Sequence, residues 1–188
     1  MLRQVEYFEK PGKENSDRCI EIVASLADEG YKHLVVATTV GDTGVAAARR
    51  LHGKDINLVV VTHSAGFKEP NQFEFLPENR DEILRLGGKI YTGTILTHSI
   101  ETAFTQKFQG LYPSMIVAQS LRRFGEGPKV CCEIVMEACD GGLIPEFEEV
   151  IAIAGTARGA DTVCIIKSAA SKRFLDLKVL EILAKPRG

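Results

Sequence analysis

Hydroxyl side chains and glycines are concentrated in residues 38–44, which read Thr-Thr-Val-Gly-Asp-Thr-Gly. This stretch separates a predicted buried strand from a predicted helix. The free amides and the positive dipole end of a helix N-terminus attract phosphate. We expect Gly41 and Gly44 to permit close backbone approach, and Thr39 and Thr43 to donate hydroxyl hydrogen bonds. The stretch therefore predicts an anion-binding turn.

The spacing of this turn points to a particular phosphate ligand. Thr38, Gly41 and Thr43 match three of the four fixed positions in the Ser/Thr-x-Thr-Gly-x-Thr loop by which flavodoxins hold the phosphate of FMN. Val40 occupies the remaining position, so one hydroxyl donor is missing. The Gly-rich motifs for dinucleotides and for nucleoside triphosphates are both lacking in the turn, which disfavours NAD and ATP. FMN is the leading ligand, and another phosphate compound is the alternative.

Two further segments are predicted to meet this turn at one edge of a sheet. Arg158 lies between Gly155 and Gly159 after a later buried strand, where it can clamp phosphate or, alternatively, pair with Asp161 in a solvated turn. The long connection after the second buried strand begins with small residues and carries His63 and Lys68, which can line a sugar or flavin or simply pack the loop. The predicted ligand-binding residues are Thr38, Thr39, Val40, Gly41, Asp42, Thr43, Gly44, Ser64, Gly66, Phe67, Gly155, Thr156, Arg158 and Gly159.

A purely structural role for the first turn is the competing interpretation. Asp42 and Thr43 are suited to capping a helix, and one glycine is enough for a tight turn. Capping explains Asp42, but it does not explain glycines at both 41 and 44 beside threonines. Binding is therefore favoured.

Length and charge restrict the class of protein. The chain has 188 residues, 45% of them hydrophobic, which suits a single domain over residues 1–188. A net charge of -2 and a pI near 6.1 give no reason to expect nucleic acid as a partner. No apolar run approaches the roughly 20 residues that a membrane span needs, and the N-terminal residues lack the apolar core of a signal peptide. We expect a cytoplasmic protein that does not bind membranes.

The cysteines and histidines do not form a recognisable metal motif. There are five cysteines, none in a Cys-x-x-Cys pair, and the odd number argues against a disulfide framework. Because Cys19 and Cys164 lie in apolar patterns, buried free thiols are predicted. The four histidines lack helical i, i+4 spacing, so no metal site is predicted.

Strands and helices are predicted to alternate along the chain, around the turns described above. Apolar runs predict buried strands at residues 33–38, 56–62, 89–92, 149–154 and 162–167, and alternation at 177–184 predicts an edge strand. Helical spacing and terminal signals predict helices near residues 17–27, 45–51, 77–86, 97–108, 114–124 and 128–139. This order indicates a three-layer α/β fold with a mostly parallel sheet and helices on both faces, and with ligands beyond the carboxyl ends of strands.

Two segments carry a resemblance to a known family. The sequences LVVATTVGDTGVAAARRL and INLVVVT, with EVIAIAGTARGADTVCII near the C-terminus, resemble the C-terminal domain of pyruvate kinase. More specifically, the chain resembles stand-alone archaeal and bacterial proteins similar to that domain. The resemblance implies the same fold, a phosphorylated small molecule such as FMN as ligand, and a homo-oligomer as a possible state. It does not imply kinase activity, which belongs to a barrel domain that has no counterpart in these segments.

Two other functions are alternatives to ligand binding. The resemblance allows a noncatalytic regulatory or oligomerisation module. A hydrolase or isomerase is a further alternative, with His63 and Glu69 on the long loop as acid or base. No nucleophile stands at motif spacing near them, so no catalytic set is predicted.

Overall fold

A single mixed sheet organises the protein. A computed structural model describes residues 2–94 and 98–188. Within them, seven strands are ordered β1-β7-β6-β5-β2-β3-β4. The strands are β1 (Glu6–Phe8), β2 (His33–Ala37), β3 (Asn57–His63), β4 (Lys89–Gly93), β5 (Glu149–Ala154), β6 (Thr162–Lys167) and β7 (Lys178–Pro186). Strand β6 runs antiparallel to both of its neighbours, and the remaining pairings are parallel.

Helices cover both faces of this sheet, which confirms the predicted three-layer α/β architecture. They are α1 (Ser16–Asp28), α2 (Asp42–Leu51), α3 (Pro77–Arg85), α4 (Ile100–Phe108), α5 (Pro113–Leu121) and α6 (Glu126–Asp140). Leu34 and Val36 of β2 pack in the core beneath α1, α2 and α3. Val35, between them, faces the opposite core, which α6 covers. The central strands are therefore buried on both faces, as their unbroken apolar runs predict.

The predicted start of α2 differs from the observed one. Helical spacing suggested a start at Val45, but the helix begins at Asp42, so the second half of the predicted turn is the first turn of a helix. Gly41 precedes it with a left-handed φ of 102°, which a residue with a side chain rarely adopts. The glycine at position 41 is thus explained by the backbone.

The prediction that β7 forms the edge of the sheet is wrong. β7 pairs with β6 along one side and with β1 along the other, where Glu6 faces Ala184 and Phe8 faces Pro186. β1 is the true edge strand. Its three residues are too few to produce a periodic signal, so β1 could not be predicted from the sequence.

The remaining predictions of local structure hold with small shifts. The third predicted strand, residues 89–92, extends to Gly93. The predicted start of α4 at Thr97 lies outside the described residues, and the helix is described from Ile100. All five cysteines are free and buried, which confirms their role as packing groups. Among the described residues, no helix is long and apolar enough to cross a membrane.

Candidate functional site: a cavity at the carboxyl edge of the sheet

A cavity of about 230 Å³ opens where strands β2, β3 and β5 end. Ala37 and Val61, from the face that α6 covers, form part of its floor. The cavity therefore lies between α6 and the carboxyl edge of the sheet, where ligands bind in open α/β folds. The lining residues are Ala37, Thr38, Thr39, Asp42, Thr43, Val61, Thr62, His63, Phe67, His98, Arg122, Glu126, Lys129, Val130, Glu133, Ile134, Glu137, Gly155, Ala157, Arg158 and Gly159.

The turn after β2 contributes one wall of this cavity. Thr38, Thr39, Asp42 and Thr43 line it. The Thr38 hydroxyl accepts a hydrogen bond from the amide of Gly41 at 3.1 Å, and the Thr39 carbonyl accepts one from the Thr62 hydroxyl at 3.2 Å. These bonds fix the turn between the ends of β2 and β3. The hydroxyls of Thr39 and Thr43 take no part in these two bonds, and both residues line the cavity.

The two glycines of the turn face away from the cavity, toward α3. A Cβ atom on Gly41 would lie 2.6 Å from Cβ of Asn79, and one on Gly44 would lie 2.8 Å from Cγ1 of Val60 and 2.9 Å from Cδ1 of Ile83. Both glycines are therefore required for close packing of α2. The expectation that they let a ligand approach the backbone has no support in this geometry.

A second turn, between β5 and β6, forms the neighbouring part of the wall. It is anchored by Asp161, which is fully buried. One carboxylate oxygen accepts hydrogen bonds from the amides of Gly12 and Thr156, both at 3.1 Å, and the other accepts one from the Thr162 hydroxyl at 2.9 Å. Asp161 thus holds the turn in place. The predicted alternative, an ion pair between Asp161 and Arg158, is wrong because these bonds occupy the carboxylate.

Arg158 pairs with Asp42 instead, across the mouth of the cavity. Its Nε donates to Asp42 Oδ2 at 3.0 Å, and the two side chains are 62% and 43% exposed. The other carboxylate oxygen, Oδ1, accepts from the Thr43 amide at 3.0 Å. Asp42 therefore binds the N-terminus of α2 and the arginine at once, which leaves the mouth almost neutral.

Aromatic side chains form the roof of the cavity. The Phe67 ring stacks on His63 with a centroid separation of 3.8 Å and lies 4.5 Å from the ring of His98. His63 Nδ1 is 2.9 Å from Glu74 Oε2, on the same long connection. Burial is the main cause that lowers the pKa of His98, and the positive charge of Lys129 lowers it further. The roof is thus formed by a stacked pair of rings, His63 and Phe67, with the His98 ring tilted against Phe67 and the carboxylate of Glu74 bound to His63.

The opposite wall is a charged stripe on α6, which was not predicted from the sequence. Glu126, Lys129, Glu133 and Glu137 are spaced three or four residues apart, which puts them on one side of the helix. All four line the cavity. Residues 127–139 of α6 are buried almost without interruption, so most of this stripe lies in the interior. The available signal was the presence of regularly spaced charges in an otherwise apolar helix.

Two ion pairs neutralise most of the stripe. Lys129 Nζ lies 2.6 Å from Glu133 Oε2, and these side chains are only 3% and 1% exposed. Arg122 Nε lies 2.6 Å from Glu126 Oε2 at the cavity entrance. Burial opposes ionisation of Glu126, but the bond from Arg122 and the charge of Lys129 outweigh it and lower the pKa of Glu126. Burial raises the pKa of Glu133, and the interaction with Lys129 offsets only part of that increase.

Glu137 is the member of the stripe that lacks a partner. It is 6% exposed, and among the described residues neither of its carboxylate oxygens has a hydrogen-bond partner. Oε1 of Glu133 is likewise buried and unpartnered in that part of the structure. Burial, together with the charges of Glu133 and Asp140, raises the pKa of Glu137 to about 8. Unsatisfied buried polar groups are rare in folded proteins and mark sites that a ligand or water completes.

The position of α6 is fixed at its first turn. A Cβ atom on Gly127 would lie 1.9 Å from Oγ1 of Thr162, the first residue of β6. Only glycine fits there. The helix therefore packs directly on the sheet edge, and the charged stripe has a fixed orientation toward the cavity.

The structure brings together some of the predicted ligand-binding residues and separates others. Those that line the cavity are Thr38, Thr39, Asp42, Thr43, Phe67, Gly155, Arg158 and Gly159. The Val40 carbonyl accepts hydrogen bonds from the Leu76 amide and the Asn79 side chain. The Thr156 amide donates to the carboxylate of Asp161. Ser64 lines a different cavity, beside Phe73 and Phe75, and the Gly66 amide closes the loop on Gln72. Lys68 and Glu69, on the exposed part of the same loop, are not among the lining residues either.

The polar groups that line the cavity suit an organic ligand better than a metal ion. Among residues 2–94 and 98–188, no group of three or more His, Cys, Asp or Glu side chains is placed to hold a metal ion. Hydroxyl and guanidinium donors lie at the mouth, and carboxylate acceptors lie on the inner wall. The cavity can therefore bind an anionic group at one end and a hydrogen-bond donor at the other.

Comparison with known proteins does not identify the chain. No family model matches it. The alignment with the crystal structure of O-ureido-L-serine synthase covers 76% of this chain and 51% of the synthase chain, at 14% sequence identity and a TM-score of 0.32. The aligned region thus covers about half the length of that enzyme. Similarity this low supports neither a family nor an activity.

Proposed function

We propose that this protein binds a phosphorylated small molecule in the cavity, with the phosphate at the mouth. The observation that carries the proposal is the convergence of Thr39, Thr43 and Arg158, from two different strand ends, on one cavity beside the N-terminus of α2. Hydroxyls, a guanidinium and a helix N-terminus are the groups that proteins use to hold phosphate. The Asp42 bond engages Nε of Arg158, so we expect a phosphate to meet the terminal guanidinium nitrogens.

FMN is the specific ligand that we propose to test first. The spacing of Thr38, Gly41 and Thr43 supports it, and Phe67 offers a ring on which an isoalloxazine can stack. The cavity volume of about 230 Å³ is below the roughly 300 Å³ at which sites for drug-sized ligands begin. Binding of FMN therefore requires the Phe67 roof to move outward or the flavin ring to lie across the mouth.

Calorimetry with FMN and riboflavin tests this proposal, because the two differ only in the phosphate. We expect FMN to bind at least about 10-fold more tightly than riboflavin, and Arg158→Ala to remove most of that difference. Arg123→Ala is the matched control, since Arg123 is exposed and does not line the cavity. Equal affinities for the two compounds would contradict phosphate recognition. No binding of FMN, of other sugar phosphates or of inorganic phosphate would favour a noncatalytic module, whose oligomeric state sedimentation would then define.

Acid–base chemistry on the bound ligand is a second candidate function. It is favoured by the bond between His63 and Glu74, which orients an imidazole at the cavity and leaves Nε2 for a ligand. Glu69, the second acid–base candidate on the long loop, is exposed, and Glu74 is the carboxylate that lies beside the histidine. Release of inorganic phosphate from FMN and sugar phosphates, compared between the native protein and His63→Gln, tests for hydrolysis. Absence of turnover in both would remove hydrolysis and leave the binding proposal intact.

A further inference from the structure

At the inner end of the cavity, several carboxylate oxygens lack a hydrogen-bond donor among the described residues. Three carboxylate oxygens are buried and unpartnered among the described residues: both oxygens of Glu137 and Oε1 of Glu133. The two glutamates are one helical turn apart and line the same cavity. Burying a carboxylate without a partner is costly, so a fold retains such groups where a ligand supplies the missing contacts.

Charge at this inner end is also unbalanced. Lys129 provides one positive charge, and its Nζ is 2.6 Å from Glu133. Glu137 therefore remains as an uncompensated carboxyl group, with Asp140 on the next turn adding to the negative potential. Facing it from the sheet is Tyr91 of β4, whose pKa is raised by burial and by Glu137, and which brings no positive charge. The cations at the mouth are already paired, Arg158 with Asp42 and Arg122 with Glu126.

We propose that Glu137 and Glu133 bind a primary ammonium group of the ligand. An ammonium carries one positive charge and three N–H donors, which match the three unpartnered oxygens and the negative charge that Glu137 acquires when it releases its proton to solvent on binding. A bound ammonium also removes the electrostatic penalty of ionising Glu137 in the interior. Where the same molecule occupies the mouth, this inference rests on the proposed function, and the ligand is then an amine that also carries a phosphate.

The length of the stripe sets the kind of molecule that can reach both ends. Glu126 lies at the entrance and Glu137 is eleven residues further along α6, which corresponds to about 16 Å along the helix axis. We therefore expect phosphate and amine to be separated by a chain of several atoms.

Calorimetry with two series of alkyl phosphates tests the inference. One series consists of n-alkyl phosphates of increasing length, and the other carries a terminal amine on the same chains. At neutral pH we expect the amine to increase affinity at least about 10-fold at the optimal length. Glu137→Gln should reduce that gain to about 2-fold or less, because it removes the carboxyl group that can ionise and keeps the shape. Glu78→Gln, at an exposed position on α3, is the matched control and should keep the full gain.

The two proposals fail in different ways in this experiment. Equal affinities in both series, or a gain that persists in Glu137→Gln, would overturn the ammonium site while phosphate binding stands. If neither series binds, the phosphate proposal fails, and n-butylammonium alone then decides the inner site. Carboxylate NMR of the native protein, with Glu137→Gln used to assign the signal, should show a decrease in the pKa of Glu137 on adding that amine. An unchanged Glu137 signal, or one that responds to Mg²⁺ or K⁺ and not to the amine, would overturn the inference.

Discussion

Two ion pairs line the same cavity, one exposed to solvent at the mouth and the other buried on the inner wall. Asp42 and Arg158 meet at the mouth with 43% and 62% of their side chains exposed, whereas Glu133 and Lys129 meet on the inner wall with 1% and 3% exposed. At the mouth, water screens both charges, so either partner can be exchanged for a ligand group at little cost. Inside, each charge depends on the other, and removing one leaves a buried charge behind. The mouth is therefore suited to exchange of ligands, and the inner wall to a fixed electrostatic environment.

Removal of Lys129 is expected to give the largest effect on stability. Lys129→Met fills similar volume but leaves Glu133 buried without its cation, which should lower the free energy of unfolding by about 3–5 kcal/mol. Urea denaturation at neutral pH measures the change. Lys172→Met, at an exposed position, serves as the control for loss of a lysine. A change below about 1 kcal/mol in Lys129→Met would mean that the inner pair contributes no more than the pair at the mouth.

Glu137 should make the stability of the inner wall depend on pH. The pKa of Glu137 is raised from 4.5 to about 8, mainly by burial. The unfolded chain releases this proton near pH 4.5 and the folded protein only near pH 8, so the folded state holds more protons between these values. Stability is therefore expected to fall as pH rises through this window. Glu133, whose pKa is also raised, contributes in the same direction.

Glu137→Gln isolates this contribution. The variant should be more stable than the native protein at pH 9, by on the order of 3 kcal/mol, and nearly equal to it at pH 5. Urea denaturation across this range measures the difference. Identical pH profiles for both proteins would show that Glu137 ionises in the fold as readily as in the unfolded chain.

The pair at the mouth should give the smallest effect. Arg158→Ala is expected to change the free energy of unfolding by less than about 1 kcal/mol, and high salt should reduce that change further. Urea denaturation at low and high ionic strength provides the measurement. A larger loss that salt does not reduce would show that Arg158 stabilises the turn between β5 and β6 by packing, and the contrast between the two pairs would weaken.

The sequence predicted the central sheet well for a physical reason. Strands buried on both faces produce unbroken apolar runs, and the predictions for β2, β3, β5 and β6 agree with the structure to within one residue. The three-residue β1 produces no such signal, and the alternation of apolar residues in β7 reflects weaker burial at positions 178–182 rather than a free edge.

The candidate site was predicted only on the side formed by local motifs. The mouth residues Thr39, Thr43 and Arg158 belong to Gly-rich turns, which are recognisable from spacing alone. The inner wall was missed because Glu133 and Glu137 look like the solvent face of an amphipathic helix. Their burial depends on the turns and rings that close over α6, and such long-range contacts leave no pattern in a single sequence. The pairing of His63 with Glu74 is missed for the same reason.

The contact between Gly127 and Thr162 has a consequence for how this cavity can change its specificity. Because the start of α6 packs against β6 with no room for a single methyl group, the helix cannot move closer to the sheet, and moving away would give up this close packing. The distance from the mouth to Glu137 is then set by the position of the backbone. New ligand lengths must be accommodated by exchanging side chains at the positions of the stripe, so a small set of α6 residues determines the range of molecules that this fold can select.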